Sequence, residues 1–273
     1  MRPEDAAAAS PPGRGRGTLG QLRTVGRVVV ALALREMKTR FGTTRLGYLW
    51  AIAEPAIYVL LFLGLRTAIS DATPFGTSIV LFMMTGLLVV RTFVSVANGL
   101  THSVSANRAL LTYPPVKPND VIFARFLVQA LVMYLVLFLF FLALSQAVEF
   151  DVIVNPGSFF AALAAVTLLA GGIGTFNAVV SVLMPFWGKL WGVMSLPIFV
   201  LSGIFYLPRS LPPFAQDILQ WNPVLHCVEW MRMGTYLTYD PLLDRFYVLA
   251  FGATALALGL VLERIYRFRL LSA

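Results

Sequence analysis

LREMKTRFGTTRLGYLWAIAEP, residues Leu34 to Pro55, decides the fold class of this chain. Arg35, Lys38, Arg40 and Arg45 crowd its first half, and from Tyr48 and Trp50 onward it turns apolar, broken only by Glu54–Pro55. A basic amphipathic stretch that runs straight into an apolar one lies first on a membrane surface and then passes into the hydrocarbon. Its basic side faces the cytoplasm. The same stretch opens a helical pattern backward in sequence. Over residues 21–41, Arg23, Arg27, Arg35 and Lys38 form one stripe around Ala31, with Val25, Val28, Val29 and Leu32 clustered nearby. Glu36 and Arg40 stand four apart in the favourable order. An interfacial helix over 21–41 is expected, with Arg35, Glu36, Lys38 and Arg40 facing a partner or lipid headgroups. A plain membrane anchor is the simpler alternative. Residues 1–20, rich in Ala, Pro, Gly and Arg, read as a disordered cytoplasmic tail, with no apolar segment placed to act as a signal peptide.

Composition agrees with membrane residence. The 273 residues are 58% hydrophobic and 12% charged, with a mean hydropathy of +0.79. Soluble domains carry about 25% charged residues, because only a lipid-facing surface tolerates so few. The net charge of +8 would suit nucleic acid or an anionic membrane. Nine of the 21 Lys and Arg precede Tyr48 and three lie in the last ten residues, so the charge flanks apolar segments. That placement selects the membrane and argues against a nucleic-acid partner. The single cysteine, Cys227, excludes an internal disulfide framework.

Six apolar stretches can cross the bilayer as helices, at about 49–69, 78–98, 121–147, 159–183, 190–207 and 246–262. The fold class expected is all-α integral membrane. An even number of spans puts both termini on one side. Arg108 and Lys117, Lys189, and Arg264, Arg267 and Arg269 share that side with the basic N-terminal segment, while Asp71, Glu149 and Asp151 fall opposite. The positive-inside rule makes the shared side cytoplasmic. Between Pro208 and Arg245 the connection is too apolar for a plain loop, so two short interfacial or re-entrant helices are expected at about 213–220 and 223–236.

Catalytic chemistry finds little support. His226 and Glu229 stand three apart and read as a hydrogen-bonded pair on one helix face, too few ligands for zinc. GGIG at 171–174 lies mid-span, where close helix packing explains it better than phosphate binding. No G-x-x-x-x-G-K-[ST] occurs, so any ATP-driven work must draw on an ATPase in another polypeptide. Charges inside spans are costly, about 2.5–3.5 kcal/mol at a helix centre. Arg91 and Glu54 therefore need a partner, a watery path or the interface. In the connection Asn107–Asp120, Pro114, Pro115 and Pro118 end helices and leave Leu110, Leu111 and Tyr113 exposed, either as a docking knob or dipping into lipid. Aromatics such as Tyr58, Phe62, Phe205 and Tyr206 would suit a channel for sugars if they line one.

The blocks REMKTRFGTTRLGYLWAIAEP, NRALLTYPPVKPNDVIFAR, SGIFYLPRSLP and WNPVLHCVEWMR, in that order, resemble the capsular-polysaccharide-export permeases of the type-2 ABC transporters. The resemblance covers residues 25–270, within a single transmembrane domain over 21–273. It implies a homodimer bound to two copies of a separate ATPase, which holds the ATP and Mg, in the bacterial inner membrane. This chain itself would bind no cofactor and catalyse nothing. The implied substrate is a lipid-linked polysaccharide, with periplasmic and outer-membrane export components as further partners. Arg108, Leu110, Leu111, Tyr113 and Pro114 would then form the ATPase-coupling loop. Tyr48, Trp50 and Glu54 would mark the cytoplasmic mouth, with Tyr58, Phe62, Arg91, Phe205 and Tyr206 along the channel. Trp221, His226, Glu229 and Trp230 would belong to the outer gate. O-antigen or another glycolipid is the alternative cargo, and an integral-membrane transferase the alternative class.

Overall fold

The structure is a computed structural model that describes residues 18–41, 45–69, 73–113 and 116–272. Among these residues it is all helical: α1 Thr18–Phe41, α2 Arg45–Ile69, α3 Ile79–Thr101, α4 Ser103–Ala106, α5 Arg108–Leu111, α6 Pro118–Ala147, α7 Pro156–Leu183, α8 Trp187–Leu201, a 3-10 turn Pro208–Ser210, α9 Pro213–Leu219, α10 Pro223–Thr235 and α11 Arg245–Ser272. A helix thus stands at each of the six apolar stretches and at each of the two short ones. Four of them, α3, α6, α7 and α11, are long and apolar enough to cross a membrane. In α2 the apolar part is the shorter Ala53–Leu65, and α8 has only 15 residues. The tail expected over 1–20 falls on residues 1–17, outside the described ones, except that α1 already begins at Thr18.

Helix starts follow local chemistry that hydropathy windows pass over. α6, α7 and α10 begin at Pro118, Pro156 and Pro223, where a proline's missing N–H costs nothing and its fixed φ suits the first turn. The residue before or just inside supplies the cap. Asn155 Oδ1 accepts from Ser158 N at 3.1 Å, Asn222 Oδ1 from Val224 N at 3.0 Å, and Asp120 Oδ2 from Lys117 N at 3.1 Å. The third and fourth spans therefore start three residues earlier than hydropathy alone suggests. The fifth is shorter than the expected 190–207: it stops at Leu201, and Gly203 turns the chain at φ +73, a conformation that favours glycine. The last runs ten residues beyond 262, because Glu263 is buried rather than marking the helix end.

α3 and α7 form the centre. Phe82, Leu87, Val90, Phe93 and Leu100 of α3 are all buried, enclosed by α2, α6, α7 and α10. α7 lies against α3, α10 and α11. The α7–α11 crossing is close because both helices carry glycine there: a Cβ on Gly172 would sit 2.3 Å from the Gly252 carbonyl oxygen. Such small-residue crossings let backbones approach where lipid offers no hydrophobic drive for association. The GGIG run is accordingly a packing feature. Phe123, Leu131, Leu135 and Phe138 of α6 remain exposed, as do Val193 and Leu196 of α8.

Candidate functional site

Four helices, α1 among them, leave a mainly polar cavity of about 540 Å³. α1 contributes Arg35, Glu36 and Thr39, α2 Glu54, α3 Arg91, Ser95 and Asn98, and α6 Arg125 and Gln129, with Asn107 closing one end from the α4–α5 turn. Three arginines and two glutamates thus share one space inside an apolar bundle. Arg91 forms an ion pair with Glu54, and its guanidinium carbon stands 4.2 Å above the Tyr58 ring. Both contacts offset the cost of placing a cation mid-helix. The pair is lopsided. Arg91's side chain is 16% exposed and Glu54's 46%, so the carboxylate opens to the cavity while the arginine stays tucked behind it. Arg91 Nε is buried and meets no acceptor among the described residues.

The other two arginines tie α1 down. Arg125 Nη1 reaches Glu36 Oε1 at 3.1 Å, and Arg35 Nη1 donates to Asn107 Oδ1 at 3.3 Å. Asn107 in turn donates to Ser103 O at 2.9 Å. Gln129 Nε2 donates to the Ser95 carbonyl and hydroxyl oxygens at 2.8 and 2.6 Å. Glu36 therefore turns inward onto α6, which corrects the expectation that it faces a partner or headgroups. Lys38 is exposed, and the side chain of Arg40 lies outside the described residues.

From Arg91 an aromatic file leads away along α2. Tyr58 stacks with Phe62, whose ring lies 5.4 Å from Phe199 and 5.2 Å from Phe205. Four residues singled out from sequence, Tyr58, Phe62, Arg91 and Phe205, are brought together, with Phe199 added. Tyr206, next in the chain after Phe205, is half-buried and Trp50 is exposed on α2, while the side chain of Tyr48 lies outside the described residues. In the loop after α3, Arg108 and Tyr113 are exposed and Leu110 is half-buried. Leu111 is buried in the core, which corrects its expected exposure: the single turn α5 points it inward. Pro114 lies outside the described residues.

At the other end of the bundle, His226 and Glu229 are both buried but do not bond each other, which corrects the expected pair. His226 Nε2 lies 2.8 Å from Gln220 O, and its Nδ1 accepts from Asp244 N at 3.1 Å. Glu229 accepts from the Tyr239 hydroxyl at 2.6 Å, from Leu242 N at 2.9 Å and from Arg232 at 3.3 Å. Burial pushes the Tyr239 hydroxyl's pKa up, so it remains a donor. Arg232, fully buried, also donates to Gly203 O at 2.7 Å and stacks its guanidinium 3.8 Å from the Phe82 ring centre. One arginine thus clasps α10, the bend after α8, and α3. Trp230 is buried nearby and Trp221 is exposed.

Sequence reading missed Arg125, Asn107, Gln129 and Arg232. Arg125 and Arg232 each interrupt an apolar helix, the signal that drew attention to Arg91, and both would have been found by it. Among the described residues no cluster of His, Cys, Asp and Glu could hold a metal ion.

The description "ABC-2 type transporter" matches residues 27–236. The polysialic acid transport protein KpsM of Escherichia coli is 35% identical over 239 residues, which cover 86% of this chain and 92% of the relative. The capsule polysaccharide export inner-membrane protein BexB of Haemophilus influenzae is 31% identical over 247 residues, 88% of this chain and 91% of the relative. CtrC of Neisseria meningitidis serogroup A, which bears the same description as BexB, is 30% identical over 241 residues, 86% and 89% of the two chains.

Proposed function

This chain belongs to the ABC-2 type transporter family, and from that premise we propose that it is the permease subunit of an ATP-driven exporter moving lipid-linked capsular polysaccharide across the bacterial inner membrane. The observation that carries the reading is likeness along nearly the whole length of relatives whose names all specify polysialic acid transport or capsule export. The chain's own geometry fits. A polar cavity at one end opens beside a file of aromatic rings, and aromatic faces stack on the C–H faces of sugar rings while guanidinium groups hold anions.

In this reading six helices span the membrane, α2 and α8 with shorter apolar parts beside the four long ones, and both termini are cytoplasmic. α1 lies at the interface, and α9 and α10 cap the outer end as gate helices. Two copies form the conduit. The energy comes from two ATP-binding subunits, since the chain has no P-loop. The turn of α5 docks on them through Arg108, Leu110 and Tyr113, with Leu111 anchoring that turn to the core. Movement of the turn reaches the cavity directly, because Asn107 binds Arg35 of α1. O-antigen or another glycolipid remains the competing cargo.

Deleting the chain's reading frame should abolish surface polymer and leave it in the cytoplasm, with restoration by the full-length chain. Capsule unaffected while lipopolysaccharide loses its O-antigen would transfer the reading to that cargo. Both glycans unaffected would overturn it.

A further inference from the structure

We propose that the cavity between α1, α2, α3 and α6 binds the phosphate-diester headgroup of a lipid drawn in from the adjoining leaflet. Its charges point to an anion. Among the described residues Arg35, Arg91 and Arg125 face only Glu36 and Glu54, and Arg35 bonds a neutral asparagine alone. One positive charge is left over among these residues: Arg35 is exposed and open to a ligand, while Arg91 is largely buried, where water screens its pull less. Guanidinium groups match phosphate oxygens in pairs, better than any other side chain.

Arg91 is the switchable member. Its Nε is buried without an acceptor, and its partner carboxylate is the half-exposed side of the pair. An incoming phosphate can take Glu54's place and supply the missing acceptor, while Glu54 swings to the open cavity. Asn98 has its amide oxygen taken by Trp191 Nε1 at 2.6 Å, which leaves its NH₂ as the donor on the same wall.

Depth separates a lipid from a free anion. Arg91 is the thirteenth of 23 residues in α3, so it stands about 15 Å inside the helix end, well beneath headgroup level. Asn107 at the opposite end of the cavity lies beyond the end of α3. The space therefore runs from the surface into the leaflet, and α1 beside it exposes Val30 and Leu34. At about 540 Å³ it has room for a headgroup, within the range of small-ligand sites.

The phosphate has two possible sources, the anchor of the exported glycolipid or an anionic phospholipid of the bilayer. Only the first rests on the export reading. The test uses the full chain purified with its ATPase partner, titrated with dihexanoyl-phosphatidylglycerol and, separately, with inorganic phosphate. Thermal shift is the readout, and native mass spectrometry records lipid carried from cells that make the polymer and from cells that cannot. The short-chain lipid should bind and free phosphate should not. Arg91→Gln and Arg35→Gln should weaken lipid binding about tenfold or more, as losing a charge-assisted contact does. Glu54→Gln, which frees Arg91, should tighten it, and Arg209→Gln at the far end should leave it unchanged. Carried lipid that disappears with polymer synthesis assigns the anchor; carried phospholipid in both strains assigns the bilayer. Equal weakening by Glu54→Gln and Arg91→Gln, or equal response to free phosphate, would overturn the site. Overturned lipid binding with surface polymer still dependent on the chain would leave the export reading standing.

Discussion

Arg232 and Arg91 both sit inside apolar helices, and their surroundings give them opposite uses. Arg232 is sealed by Glu229, the carbonyls of Gly203 and Ile204 and the Phe82 ring, with no exposed surface. Truncating it to alanine would leave Glu229 buried with its charge uncompensated, at a cost of about 3–5 kcal/mol. Arg232→Ala should therefore lower the thermal unfolding temperature of the purified permease sharply, whereas Arg91→Gln, whose partner can reach the cavity, should lower it little. A similar loss from both would mean that Arg91 is part of the scaffold. Glu229 also shows where sequence stops short. It has a candidate partner three residues away on each side, His226 and Arg232, and helical spacing favours neither. The return of the chain decides: Tyr239 and Leu242 donate to the carboxylate beside Arg232, while Asp244 N and Gln220 O take the two ring nitrogens of His226.

At the scale of elements, the apolar stretches were legible as runs nearly free of charge, four of them long enough to cross a membrane, and a helix stands at each. Their ends were not legible in hydropathy: Pro118 reads as a break but serves as a first residue, and Pro156 likewise opens α7 ahead of its apolar run. α8 was overextended because Phe205 and Tyr206 are as apolar as a span, although the chain has already turned at Gly203. The connection Asn107–Asp120 reads as short, with Leu110, Leu111 and Tyr113 exposed, but α5 turns Leu111 inward. With Leu111 in the core and Arg108 and Tyr113 outside, the two kinds of substitution separate. Arg108→Asp should reduce co-purification with the ATPase about tenfold, equivalent to about 1.4 kcal/mol, at normal permease levels. Leu111→Asp should instead lower the amount of folded permease. In the α7–α11 crossing, Gly172→Val would press a side chain onto the Gly252 carbonyl and should cost about 1–3 kcal/mol or more, measured as loss of detergent-stable protein. Gly192, with nothing within reach of an added Cβ, is the control that should tolerate the same change.

For the whole molecule, orientation and path are joined. The polar cavity lies at the end holding α1, α5 and the start of α6, and the Arg232 clasp closes the other. If the cavity end is cytoplasmic, a cysteine placed at Phe150, in the connection between α6 and α7, should react with a membrane-impermeant maleimide added outside the inner membrane. Cys227 is buried and should stay silent. Labelling only after the membrane is opened would invert the assignment. The central claim is that polysaccharide passes along the file from Arg91 and Tyr58 to Phe62 and Phe205, and the direct test is a photo-crosslinking residue at position 62 in actively exporting cells. The account predicts polymer adducts at 62 that vanish when the ATPase is inactivated, and none at position 138, exposed on α6 away from the file. Adducts of equal yield at both positions, or none at 62 while capsule still reaches the surface, would contradict it.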